Sequence, residues 1–265
     1  MPTADPTPAT AARPERGSYA AGRTYPLPAG WRTVEPRVLE VALERTLLAL
    51  DGDALERLAA YYRPEGHFAG ALVSTIDPNP ENEICAADLL AVSMLSIEIP
   101  QLTARQLLDV GQPRRVAHHL LSQIPYGLSI TALDTNHPEV ATATNAMWDL
   151  HNHFRTLLST EDRDSNRWVF AAKLCARKRP WLFPVRDNLV CTYLAEDHKL
   201  RTGRGLGQFD VDLQVFAFLM SGPRVAHRLA ELRAELQARG YQLDETDLRL
   251  LDVALWTAAR STPAA

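Results

Sequence analysis

Apolar residues recur along this chain at intervals of three and four, and the pattern breaks where prolines, glycines and short polar residues stand. Between 36 and 50, Val38, Leu39, Val41, Leu43, Leu47, Leu48 and Leu50 fall at helical spacing. Asp51 or Asp53 is a candidate cap for a second helix running through Leu55, Leu58, Ala59 and Tyr62 to Pro64. The same spacing predicts a helix over Ala86–Ile97, stopped by Pro100, then TARQLLDV capped by Thr103, then PRRVAHHLLSQI with Pro113 in a first turn. A long helix is predicted from about Glu139 to Thr160, followed by DSNRWVFAAKLCARK ended by Pro180. NLVCTYLAEDHKLR opens at Asp187 and closes at Gly203. Gln208–Met220, Pro223–Arg239 and Thr246–Ala259 complete the series. Residues 64–84 have no helical stripe and form the longest non-helical segment, with a candidate strand or hairpin at Ala71–Ile76.

This patterning predicts an all-α fold. Residues 1–30, rich in Pro, Ala, Thr and Gly without periodicity, read as a disordered tail. Residues 31–265 read as a single helical domain, with a candidate division into two helical lobes near 135–140 and a cleft between them. With 265 residues and 46% apolar composition the chain can bury a sizeable core. No apolar run reaches the roughly 18–20 residues that span a bilayer. The N-terminal MPTADPTPATAARPERG has neither a basic nor an apolar leader region, so the expected location is cytoplasmic. Cys85, Cys175 and Cys191 are scattered, which points to no disulfide framework.

The formal net charge of −4 argues against broad coating of nucleic acid. The charge is uneven, however. Residues 155–204 hold 11 Lys and Arg against 6 Asp and Glu, a local basic patch on an acidic body. Such a patch suits a small anionic ligand or a short nucleic-acid contact, and a solvated face suits it equally well.

The most distinctive stretch is WVFAAKLCARKRPWLFPVRDNLV, residues 168–190. Its logic is a helix, a prolyl turn and a second helix with an aspartate at its start. Lys173 and Arg177 are four apart and share a helix face. With Arg179 they could hold a phosphate or carboxylate, and Trp181 stands beside them as a candidate ligand contact. Asp187 has two readings that do not exclude each other. It can cap the helix that follows, and it can serve as a carboxylate in acid–base or glycosidic chemistry. His67, in the long loop beside Phe68, is a candidate acid, base or ligand contact.

Two resemblances rest on this stretch. The run Lys173-Leu174-Cys175-Ala176-Arg177-Lys178-Arg179-Pro180, with the Pro184-Val185 turn and Asp187 after it, resembles a bacterial family, the domain of unknown function 6308 family, over about residues 36–260. The turn Phe183-Pro184-Val185-Arg186-Asp187 also resembles the helix-hairpin-helix DNA glycosylases over residues 160–190. That likeness implies a distantly glycosylase-like fold and assigns the family's catalytic aspartate to Asp187. The chain departs from the glycosylase pattern in three ways. Thr160–Arg167 has no glycine and three acids where the family's phosphate-binding hairpin requires glycine. Arg186 is one residue extra before the aspartate. The catalytic lysine of the bifunctional members has no counterpart.

The remaining motifs call for no metal or cofactor. His151 and His153 lie two apart on one helix and point away from each other, and His118-His119 are adjacent. Gly203-Arg204-Gly205-Leu206-Gly207 follows a helix rather than a strand, so it reads as a helix end. Three functions are thus expected to compete. One is a glycosylase-like enzyme, or relative of one, acting on a nucleobase, nucleoside or nucleic acid. The second is a non-catalytic binding protein for nucleic acid or an acidic partner. The third is a small-molecule enzyme of specialised metabolism with a repurposed cleft.

Overall fold

The computed structural model describes residues 16–18, 24–26, 31–134, 138–157, 167–195 and 209–261. These hold eleven α-helices: α1 (Pro36–Leu50), α2 (Ala54–Tyr62), α3 (Ala86–Ser93), α4 (Gln101–Leu108), α5 (Gln112–Ser122), α6 (Pro138–Leu157), α7 (Arg167–Lys178), α8 (Asn188–Leu194), α9 (Phe209–Ser221), α10 (Pro223–Ala238) and α11 (Asp247–Ser261). Two three-residue strands, β1 (Arg16–Ser18) and β2 (Thr24–Pro26), pair antiparallel within the segment read as an unstructured tail. None of the helices among the described residues is long and apolar enough to cross a membrane.

The helices stop for local reasons. The end of α10 is a Schellman turn: Tyr241 N–H donates to Leu236 O at 3.1 Å and Gly240 N–H to Gln237 O at 2.9 Å. Gly240 has φ +85°, a conformation that a side chain disfavours. Proline stands in the first turn of α1, α5 and α10, where its missing N–H leaves no intrahelical bond unmade.

Four local features differ from the periodicity. The candidate strand at 71–76 is a 3-10 turn over Ala69–Leu72, and its neighbouring carbonyls are bonded by side chains rather than by a sheet partner. Thr103 does not cap α4: the helix begins two residues earlier after Pro100, and the buried Thr103 hydroxyl donates to Leu157 O at 3.2 Å. Asp53 makes no capping bond and pairs instead with Arg57 one turn on. Helix α3 also ends at Ser93 rather than Ile97, because Ser96 turns into the left-handed region at φ 59°.

The larger of two apolar clusters among the described residues runs from Val34 to Ala258 and takes residues from both sides of the expected division near 135–140. Helix α11 is its centre: every residue from Leu248 to Leu255 is buried. It packs on α1, α2, α8 and α10. A helix buried nearly all round has no solvent face for its polar residues. Arg249 and Asp252 are therefore carried into the interior, and they define the site.

Candidate functional site

The Arg177–Arg179 run is a structural clamp, not a surface patch. All three side chains are buried. The irregular backbone over 73–82 has no sheet or helix to satisfy its carbonyls, and buried carbonyls need donors. Arg177 donates to Val73 O at 2.7 Å and to Ile76 O. Lys178 Nζ donates to Asn79 Oδ1 at 2.7 Å and Pro80 O at 2.6 Å. Arg179 reaches Glu81 O (2.7 Å), Asn82 Oδ1 (2.8 Å), Leu121 O (2.5 Å) and Ile124 O (2.8 Å). Asp88, fully buried, supplies the counter-charge, accepting from Arg177 Nε at 3.2 Å and Lys178 Nζ at 3.1 Å. Arg186 is likewise internal, with Nε and one terminal nitrogen on Asp212 Oδ2 at 2.8 and 2.5 Å. Arg177 and Arg179 thus anchor the loop, and Arg177 also lines a small cavity next to Lys173. Trp181 packs edge-on against Tyr126, 5.2 Å between ring centres, and lines a separate shallow groove with Arg233 and Gln237.

The other three candidates meet elsewhere. Lys173, Asp187 and His67 line one cleft of about 400 Å³, within the range that small ligands occupy. Its back wall is α11, whose Arg249, Asp252, Trp256 and Arg260 succeed each other at three- and four-residue steps and so share a face. Its side is aromatic. Tyr61 and Phe68 stack with ring centres 5.5 Å apart and planes at 20°, and Trp256 meets both edge-on at 6.1 and 5.6 Å. Ser96, the residue at positive φ, lines the same cleft, so local backbone strain lies at the site. A smaller cavity of about 60 Å³ lies beside the cleft. The two share Leu95, Lys173, Val185, Arg249 and Asp252 as lining.

Asp252 is the most perturbed acid of this wall. Oδ2 accepts from Val185 N–H at 2.7 Å, while the buried Oδ1 has no hydrogen-bond partner. Burial raises the carboxyl most. Arg249 and the Val185 amide pull it back, Asp187 and Asp244 push it further up, and it comes to about 7. It therefore holds its proton near neutrality. Arg249 is buried, which disfavours its charge, but Tyr61, Asp244, Tyr62 and Asp252 around it outweigh that and hold it cationic. One of its terminal nitrogens donates to Tyr61 Oη at 2.8 Å, and Nε lies 3.7 Å from Asp244 Oδ2. Asp244 in turn accepts from Tyr62 Oη at 2.7 Å and from Ser74. Gly70 permits this arrangement, because a Cβ there would collide with the Tyr61 hydroxyl.

Asp187 does cap α8. Its Oδ1 accepts from Val190 N–H at 2.9 Å. Oδ2 has no hydrogen bond among the described residues, and Asp187 lines the cleft, so capping leaves one oxygen for other work. Lys173 Nζ donates to Leu95 O at 2.7 Å. Burial lowers its affinity for a proton, the nearby Asp187 restores part of it, and Arg249 opposes. His67 is exposed at the edge of the cleft. The capping role gives an expected result: Asp187→Ala loses about 1 kcal/mol, or roughly 2–4 °C in Tm, while Asp187→Asn keeps most of the stability. Thermal melts of the two variants check this. Equal melting of Asp187→Ala and wild type would remove the cap.

Sequence reasoning missed Arg249, Asp252 and Arg260, although a signal was there. Three charges in phase with Trp256 on a largely apolar helix mark a polar stripe along one face. His151 and His153 do point apart: His151 is buried against Phe209, 4.7 Å between ring centres, and His153 Nε2 meets Pro113 O at 2.8 Å. No group of three His, Cys, Asp or Glu among the described residues is arranged to hold a metal ion. The glycine run 203–207 lies outside the described residues, as do 158–166, where the glycosylases carry their hairpin.

A protein-family model matches residues 54–259; it is that of DUF6308, a family of unknown function. No curated protein and no solved structure matches the chain.

Proposed function

The chain belongs to the DUF6308 family, which brings no activity with it, and from the geometry we propose that the protein is a small-molecule enzyme that cleaves a glycosidic bond of a nucleoside-type substrate in the cleft of Lys173, Asp187 and Asp252. The observation that carries this reading is the meeting of two unlike carboxyls beside an aromatic wall. Asp252 holds a proton near neutrality and can donate it to a leaving base. Asp187 offers a free oxygen to the positive charge that develops on the sugar, and Lys173 lies beside it. The rings of Tyr61, Phe68 and Trp256 suit a flat heterocycle. When the glycosidic bond breaks, its electron pair leaves with the base and the base takes the Asp252 proton; water then adds its oxygen to the sugar carbon and returns a proton to the Asp252 carboxylate.

The alternative of a nucleic-acid-binding protein draws no support from the basic run. Side chains already bonded to loop carbonyls offer nothing to phosphates, and neutralised phosphates are what hold such complexes together. The distant glycosylase likeness draws no support from the comparisons. A panel of nucleosides and nucleotides tests the proposal, with release of free base followed for wild type and for Asp252→Asn and Asp187→Asn. Wild-type release that both variants lower by about 10²-fold or more supports it. Full turnover in either variant, or no release by wild type across the panel, overturns it.

A further inference from the structure

The proposed chemistry leaves one cation at the cleft without a task. Arg260, in the last turn of α11, is exposed. Its guanidinium carbon lies 4.8 Å from the centre of the Trp256 ring and 5.6 Å from that of Phe68. A guanidinium laid against aromatic rings is held in one orientation, and its in-plane N–H groups remain open to a fork-shaped acceptor. The other two cations of the cleft are engaged: Lys173 on Leu95 O, and Arg249 on Tyr61 Oη and against Asp244. Arg260 makes no ion pair or hydrogen bond among the described residues. The rings that would receive a flat substrate are thus the same rings that orient this cation.

Spacing along α11 fixes what such a cation can reach. Arg260 is eight residues beyond Asp252 on the same face, about 12 Å along the helix axis. A nucleoside with a charged substituent on its sugar is long enough to bridge much of that separation. Resting on the reading above, we propose that Arg260 seats an oxyanion carried by the substrate, so that the substrate class is a nucleoside phosphate rather than a bare nucleoside. A bidentate phosphate on a guanidinium is worth about 10-fold or more in affinity.

The test measures binding to the full chain by calorimetry at matched ionic strength. The probes are inorganic phosphate, acetate, a nucleoside and the same nucleoside as its 5′-monophosphate. The proteins are wild type and Arg260→Gln, whose folding is checked by melting. Wild type is expected to bind the monophosphate about 10-fold or more tighter than the nucleoside, and to bind inorganic phosphate; Arg260→Gln is expected to lose both effects while its affinity for the nucleoside stays within about 2-fold. Equal affinity of wild type for nucleoside and monophosphate, or phosphate binding unchanged by Arg260→Gln, overturns the assignment. Acetate binding that matches phosphate and is equally lost would assign the seat to a carboxylate and also overturn the phosphate class. Failure of the glycosidic reading alone looks different: phosphate discrimination through Arg260 persists, but no base is released.

Discussion

Replacing Arg179 with alanine is expected to lower the melting temperature by roughly 6–20 °C. The substitution withdraws the Arg179 donors from Glu81 O, Asn82 Oδ1, Leu121 O and Ile124 O, of which Leu121 O keeps a second donor in Ile124 N–H at 3.1 Å. It also leaves a large void in a fully buried position. Stranded buried acceptors and an emptied core site together cost about 3–5 kcal/mol, and a chain of this size loses roughly 2–4 °C per kcal/mol. Arg179→Lys keeps the charge but cannot fan out to four acceptors, so an intermediate loss is expected. The outcome separates a clamp from a ligand contact. If Arg179 were held for an anion, its removal would leave stability nearly unchanged, and a Tm drop below about 2 °C would show that.

Asp252→Asn is expected to lower turnover by about 10²-fold or more without unfolding the protein. The amide oxygen still accepts the Val185 N–H, so the packing is kept, but the group can no longer give up a proton. In the wild type the rate is expected to fall on the alkaline side as the carboxyl ionises near 7. Stability is expected to move in the same direction. The folded-state pKa is raised above the ordinary aspartate value of about 3.9, so the folded chain holds a proton that the unfolded chain has already lost. The stabilisation is full below about pH 4 and is lost as pH rises through about 7. Asp252→Asn should flatten both dependences. A wild-type rate with no alkaline limb near 7 would remove Asp252 from the acid role.

Much of the architecture was legible from periodicity. Helices α1, α2, α5, α9, α10 and α11 begin and end within about two residues of their stripes and stop signals. The cap at Asp187 was legible as well, since an aspartate between an extended prolyl turn and an apolar stripe has few other uses. The charged run was not. Arg177, Lys178 and Arg179 look like a solvated or ligand-binding face, because nothing in their own spacing reveals that the loop over 73–82 wraps around them. Their partners are mostly backbone carbonyls, which carry no sequence signature. Asp88 gave no hint either, as it sits at the third position of α3 and closes a capping box with Cys85.

The cleft was half legible. His67, Lys173 and Asp187 were candidates, but the helix that completes the wall read as core, and from Leu248 to Leu255 every residue of it is buried. The stripe Arg249, Asp252, Trp256 and Arg260 becomes visible only when polar residues are tested for phase as apolar ones are. The strained Ser96 could not be read at all, since serine has no marked preference for positive φ.

The central claim is that the cleft presents a carboxyl still protonated near neutrality, raised partly by the charge of Asp187. Carbon-13 NMR of the aspartate side-chain carboxyls, followed through a pH titration of the full chain, reads this directly without a substrate. One signal is expected with a midpoint near 7 that is absent from Asp252→Asn and shifts to lower pH in Asp187→Asn. An Asp252 signal titrating near the ordinary value of about 4, and indifferent to Asp187→Asn, would contradict it.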